Sequence, residues 1–275
     1  LAGTILSGMM VMGASATNFP DDEDIVNQEA VASMVALNII NGKDDGEYHP
    51  EDLVTRAEMA KMIATAMNGG VTPEYGTKPT PSFTDIKGCW AEQYIEYCNN
   101  MKIIAGRGDG TFDPYGKVTG VEAAKMVLTA LGYDATAFKL VGADWDSNVN
   151  YEATWRCDPS LYDELNGINM YQPITRDTAA QLIWNGVQNK VMVSNPDKEV
   201  ATGNVTDSYV LSAKTLFEVK YNGDTETGIF ADNSNTDTGL ADGYIKVTVG
   251  STPYTFPAEL DFSYIGEEVK VMFKD

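Results

Sequence analysis

Shifted by 64 positions, residues 19–67 overlay residues 83–131 without a gap. Sixteen positions then carry the same residue, among them Phe19/Phe83, Asp21/Asp85, Ile39/Ile103, Ile40/Ile104, Gly42/Gly106, Pro50/Pro114, Thr55/Thr119, Glu58/Glu122 and Lys61/Lys125. Units of this size usually expose an apolar face when alone and bury it by stacking on one another. The repeat therefore points to a binding or scaffolding surface before it points to a catalyst.

Each unit reads as helix, loop, helix. In the second, Trp90, Tyr94, Ile95, Cys98 and Met101 recur at helical spacing. Gly106, Gly108 and Gly110 interrupt the pattern, and Pro114 forbids helical continuation. A second helix opens at Thr119 and carries Val121, Ala124, Val127, Leu128 and Leu131. The first unit copies this with Val31, Met34 and Leu37, then Asp45-Gly46, then Thr55 and the stripe Met59, Met62, Ile63 and Ala66. Ile174-Thr175-Arg176 echoes Val54-Thr55-Arg56 and marks a third, degenerate unit with a shorter turn that lacks Asp-Gly. Residues 68–82 read as a linker. Beyond about residue 205 the period changes to that of strands: 244–249 and 269–273 alternate, while 221–243 is dense in Gly, Asn, Asp and Thr and reads as turns.

The chain of 275 residues carries a formal charge of −21. Such a surface repels nucleic acids and anionic membranes, so neither is an expected partner. Residues 1–16 are uncharged and end in Ala14-Ser15-Ala16, which is read as the remnant of a cleaved secretory signal, with no membrane insertion afterwards; a buried N-terminal helix is the other reading. The three cysteines are sparse. Cys89 and Cys98 stand too far apart on one helix for a bridge, and a single histidine, His49, leaves no zinc site or His-dependent triad. No metal and no cofactor are expected. The acidic turns at 44–47 and 109–113 do not follow the twelve-residue calcium loop. Arg107-Gly108-Asp109 is read as part of the repeated turn rather than an adhesion tripeptide, and Asn204-Val205-Thr206 as a sequon without consequence.

Thr55 with Glu58, and Thr119 with Glu122, have the spacing of a capping box at a helix start. Arg56 and Arg176 stand just after the capping position, where the helix dipole disfavours a cation. A guanidinium beside free helix amides makes a site for a carboxylate or phosphate; an ion pair with one of the many acidic neighbours is the other reading.

Phe83-Thr-Asp85-Ile86, Trp90-Ala91, Ile103-Ile104-Ala-Gly106, Gly108-Asp109-Gly110-Thr111-Phe112-Asp113-Pro114 and the helix start Val54-Thr55-Arg56-Ala57-Glu58 together resemble the S-layer homology family. The resemblance covers roughly 19–192 in three copies. It implies a mostly helical pseudo-threefold trefoil; with the strands read from the change of period, the chain is expected to be α+β, the trefoil followed by a small β-rich region. The expected divisions are a signal remnant at 1–16, repeats at 17–80 and 81–140, a degenerate repeat at 141–193, and a β-rich region at 205–275. It implies non-enzymatic anchoring of a secreted surface or S-layer protein, with secondary cell-wall polysaccharide, often pyruvylated, held in grooves between copies.

Arg56 and Arg176 would grip a ketal carboxylate beside Thr55 and Thr175. Trp90 would either stack on a sugar or join the core. Asp45-Gly46 and Asp109-Gly110 would either line grooves or simply make turns. The second copy has Gly120 in place of Arg, and the first has Val26 in place of Trp90, so only the grooves served by Arg56 and Arg176 are expected to bind. Copies of the protein itself in a surface lattice are a second expected partner. The rival readings are a tether for a surface enzyme such as a glycoside hydrolase, and an adhesin.

Overall fold

In a computed structural model the described residues are 10–11, 19–75, 80–195, 208–237, 239–257 and 262–273. Six helices form the first two-thirds of the chain: α1 (Gln28–Ala36), α2 (Arg56–Met67), α3 (Glu92–Asn100), α4 (Gly120–Ala130), α5 (Trp145–Trp155) and α6 (Arg176–Gln188). Helices α2, α4 and α6 touch one another at the centre. Small residues on their buried faces, among them Ala57, Ala60, Ala123, Ala124, Ala179 and Ala180, let the backbones approach closely. A Cβ on Gly186 would lie 2.4 Å from Val127 Cγ1, so a side chain there would force Val127 to shift.

The outer helices do not pack on their own partners. Helix α3 packs on α2, α5 on α4, and α1 on α6. Each unit thus lends its first helix to the unit before it, and α1 closes the circle against α6. Asp177, buried on α6, seals this closure by accepting from the Asn27 amide at 3.1 Å and from its side-chain nitrogen. At the centre the turn segments meet in three isolated bridges, Leu53 with Thr175, Thr55 with Lys117 and Thr119 with Pro173. The arrangement is a pseudo-threefold trefoil built on a three-helix bundle.

Trp90 and Met101 depart from the expected stripe. Helix α3 begins only at Glu92, and both residues are exposed. Of the expected stripe Tyr94, Ile95 and Cys98 are buried, and Glu96 is buried on the same helix. The three cysteines are free.

The rest is β. A hairpin of β2 (Lys190–Ser194) and β3 (Tyr209–Thr215) leads into the short helix α7 (Leu216–Lys220). Strands β4 (Asp224–Asn233), β5 (Tyr244–Val249), β6 (Thr252–Pro257) and β7 (Glu268–Phe273) form a sheet in the order β7-β4-β5-β6, all antiparallel, with the two-residue strand β1 (Met10–Val11) parallel to β7. Both segments with strand alternation form strands here. Residues 221–243, expected as turns, instead supply the central strand β4. Its polar run Thr225-Glu226-Thr227-Gly228 pairs with β7, the following residues Ile229–Asn233 pair with β5, and Gly228 is needed because a Cβ there would meet Thr248 O at 2.7 Å. Phe230, Ile245, Val247, Phe256, Val269 and Val271 form a separate small core. Most of 1–16, part of the linker (76–79) and the sequon at 204–206 lie outside the described residues. No helix among the described residues is long and apolar enough to cross a membrane.

Candidate functional site

The three central helices start alike. Thr55, Thr119 and Thr175 occupy their N-caps, and each hydroxyl accepts the amide three residues on, at 3.2, 3.3 and 3.2 Å. Glu58 and Glu122 return the bond to the cap amides at 2.7 and 3.0 Å and complete two capping boxes. The next amides are used as well. Arg56 N donates to Gly116 O at 2.9 Å and Ala57 N to Pro114 O at 2.9 Å; Arg176 N donates to Asp52 O at 2.9 Å and Asp177 N to Pro50 O at 3.1 Å. The expectation of free helix amides beside the arginines is therefore overturned, because carbonyls of a neighbouring unit's turn satisfy them. Any anion would be held by side chains.

Those carbonyls belong to turns that also fix the arginines. Arg56 donates from Nε to Phe112 O at 2.8 Å and from Nη2 to Ala105 O at 3.0 Å, with its guanidinium 4.5 Å from the Phe112 ring centre. Arg176 does the same with Tyr48 O at 2.9 Å, Asn41 O at 3.1 Å and the Tyr48 ring at 4.9 Å. Hydrogen bonds to backbone compensate for the unfavourable dipole and hold each planar fork in one orientation. The alternative of an ion pair is realised weakly for Arg56, whose Nη1 lies 3.8 Å from Glu122 Oε1. Among the described residues no carboxylate pairs with Arg176.

Each arginine lines a cleft, and the two clefts match. One is lined by Arg56, the turn Ile103–Arg107, then Glu122, Lys125, Met126 and Trp145. The other is lined by Arg176, the turn Ile39–Asp44, then Glu58, Lys61, Met62 and Trp90. In each, one unit supplies the arginine, the next the turn and the Glu-Lys-Met helix face, and the third a tryptophan. The lining of the Arg56 groove gathers three cations, Arg56, Arg107 and Lys125, with Glu122, while Asp113 pairs with Arg107 from outside the lining. Burial, and next the repulsion from Arg107, hold the Arg56 guanidinium below its ordinary pKa; burial and Arg56 do the same to Lys125. Lys125 Nζ sits 5.2 Å from the Trp145 ring. An anion entering this groove would relieve mutual repulsion among its cations.

The third interface lacks all four elements. Gly120 stands where the arginines do, Thr178 replaces the glutamate, Gln181 the lysine and Val26 the tryptophan. Gly120 is imposed by packing, since a Cβ there would meet Met170 at 2.6 Å. Gln181 is buried and donates to Asn185 Oδ1 at 2.9 Å.

Trp90 is 51% exposed in its groove, so it is not core. Asp45, Gly46, Asp109 and Gly110 are absent from both linings. Asp45 Oδ1 accepts the Glu47 amide at 3.1 Å, Asp109 Oδ1 accepts the Thr111 amide at 2.9 Å, and both glycines adopt positive φ. These are turn-making roles, and the Thr55 and Thr175 hydroxyls are engaged as caps. Asp45, Glu47 and His49 converge on that first turn, where His49 Nε2 lies 2.7 Å from Asp45 Oδ2. The groove residues not singled out from sequence are Lys43, Arg107, Lys61, Lys125 and Trp145. The repeated Lys61/Lys125 pair was a visible signal, since a lysine kept between two copies on a helix next to the capping box faces the same cleft twice.

The model for the S-layer homology domain matches residues 18–60 and 82–124. These two segments are S-layer homology domains. The matched segments are the first two units of the trefoil. An S-layer protein of Bacillus thuringiensis subsp. finitimus is 30% identical over 152 residues, covering 50% of this chain and 18% of the relative. A surface layer protein of Brevibacillus choshinensis is 24% identical over 207 residues, covering 74% of this chain and 17% of the relative. An uncharacterized cell wall amidase of Bacillus anthracis is 25% identical over 133 residues, covering 47% of this chain and 24% of the relative. The S-layer homology region seen here thus corresponds to about a quarter or less of the length of these relatives.

Proposed function

We propose that this chain anchors a larger surface protein to the cell wall without covalent attachment, by binding secondary cell-wall polysaccharide in the two arginine-bearing grooves. Its setting is the cell wall or cell surface, in keeping with its family and relatives. One observation carries the reading: two matching clefts, each combining a fixed guanidinium, a lysine and a tryptophan contributed by three different units, Trp90 exposed and Trp145 half-buried. Guanidinium and ammonium suit a carboxylate, and an indole face suits the C–H face of a sugar ring, so the ligand class is an acidic glycan such as one bearing a pyruvyl ketal. Helices α5 and α6 are a third, degenerate repeat whose interface serves closure rather than binding. Titration calorimetry with purified wall polysaccharide, before and after mild acid removal of ketal groups, tests this. Binding that survives ketal removal unchanged would refute a carboxylate-directed site.

A second reading has the same repeats tethering an enzyme, and the amidase relative supports it by carrying a related segment within a chain named for catalysis. Release of soluble products from walls incubated with the full protein distinguishes it from a purely structural lattice subunit.

A further inference from the structure

The two grooves have the same parts but not the same state. In the Arg56 groove, Glu122 Oε1 lies 2.8 Å from Arg107 Nη1 and 3.8 Å from Arg56 Nη1. A second carboxylate, Asp113, holds Arg107 Nη2 at 3.1 Å. In the Arg176 groove the counterpart of Arg107 is Lys43, and it turns instead to Asp52, with which it forms an ion pair. The second unit has Gly116 where the first has Asp52, so Arg107 lacks that outward carboxylate. Glu58, the counterpart of Glu122, accepts from the Thr55 amide and hydroxyl at 2.7 Å each, and among the described residues no cation pairs with it. The free volumes follow: about 120 Å³ in the Arg56 groove and about 460 Å³ in the Arg176 groove.

We infer that Glu122 is an internal competitor for the ligand's carboxylate: bridged to Arg107, it occludes the Arg56 groove and makes the Arg176 groove the primary site. The inference rests on the anchoring reading and adds to it an order of occupancy. A carboxylate that pairs with Arg107 and approaches Arg56 occupies the guanidinium faces an incoming anion needs. Entry then requires exchanging one carboxylate for another, whereas Arg176 and Lys61 face no such exchange. The Arg56 groove is accordingly the more selective for anionic over neutral sugars, since a neutral ring gives Arg107 nothing in return for Glu122.

The test is a ¹H–¹⁵N NMR titration of the full chain with the methyl glycoside of a hexose carrying a pyruvyl ketal. Gly42 and Lys43 amides report the Arg176 groove, and Gly106 and Arg107 amides the Arg56 groove. In the wild type the first pair should shift at lower ligand concentration. Glu122→Gln keeps an acceptor for the capping box but removes the charge. It should tighten the Arg56 groove by about fivefold, the upper range for a partly exposed ion pair, and leave the Arg176 groove unchanged. Arg56-groove affinity that is unmoved or weakened in Glu122→Gln, with the Arg176 groove responding normally, overturns the inference alone. Absence of shifts in both grooves overturns the anchoring reading with it.

Discussion

The amide of Val54 donates to the carbonyl of Ile174 at 3.0 Å, joining the first helical unit to the third. Ile174 N in turn donates to Val118 O at 3.1 Å, and Val118 N returns to Val54 O at 3.1 Å. Three buried residues from three units thus form a closed ring of hydrogen bonds on the pseudo-threefold axis. A unit removed from the ring leaves a donor and an acceptor buried without partners.

The ring predicts that the three units unfold together. Val118→Pro deletes one donor and should destabilise the trefoil by about 3 kcal/mol or more. Urea denaturation followed by far-UV circular dichroism and by tryptophan fluorescence should give one shared midpoint, lowered in the variant. Separate midpoints for the two probes would show that the units fold singly.

Gly120 predicts why the second copy cannot regain its arginine. Gly120→Ala places a methyl group against Met170 and should cost about 1–3 kcal/mol. Met170→Ala should recover only part of that loss when the two changes are combined, because a Cβ on residue 120 would also lie 2.9 Å from the Met170 Cα. A double-mutant cycle on chemical denaturation measures the coupling, and strict additivity would show that the contact is not what excludes a side chain.

The two tryptophans predict separable losses. Trp145→Ala should weaken the Arg56 groove and Trp90→Ala the Arg176 groove, each by about three- to tenfold, from lost ring stacking. Site-resolved titration with a ketal-bearing glycoside reads each groove independently, and a loss in the wrong groove would break the assignment of Trp145 and Trp90.

The helices were legible in local signals. Thr55 and Glu58 announce a helix start because both capping partners lie within one turn, and the stripe Met59, Met62, Ile63 and Ala66 marks the buried face. The arginines could be singled out because a first-turn cation is anomalous. What fixes them could not, since the acceptors are backbone carbonyls at Asn41, Tyr48, Ala105 and Phe112, which every residue possesses and only tertiary folding selects. Trp145 escaped because the third unit is shortened and its first helix does not align with Trp90. Strand β4 escaped for a different reason. Its polar first half pairs with β7 and its second half with β5, and no alternation of apolar residues over Thr225–Gly228 was needed to build it.

Asp177 predicts a pH dependence of stability. Burial raises its carboxyl pKa above the ordinary value of 3.8, in spite of the bonds from Asn27. A raised folded value means that its stabilising contribution is complete below the ordinary value and falls away as pH rises through the folded one. Asp177→Asn should therefore flatten the fall in stability as pH rises above the ordinary carboxyl value of about 4. Thermal midpoints across that rise check it, and an unchanged slope would show that the carboxyl is not the titrating group.

The most direct measurement of the anchoring claim is co-sedimentation of the full chain with purified cell walls, comparing wild type with the double variant Arg56→Ala/Arg176→Ala. The variant, verified as folded by circular dichroism, should stay in the supernatant while the wild type pellets. Equal pelleting of the two would contradict an anchor carried by these grooves.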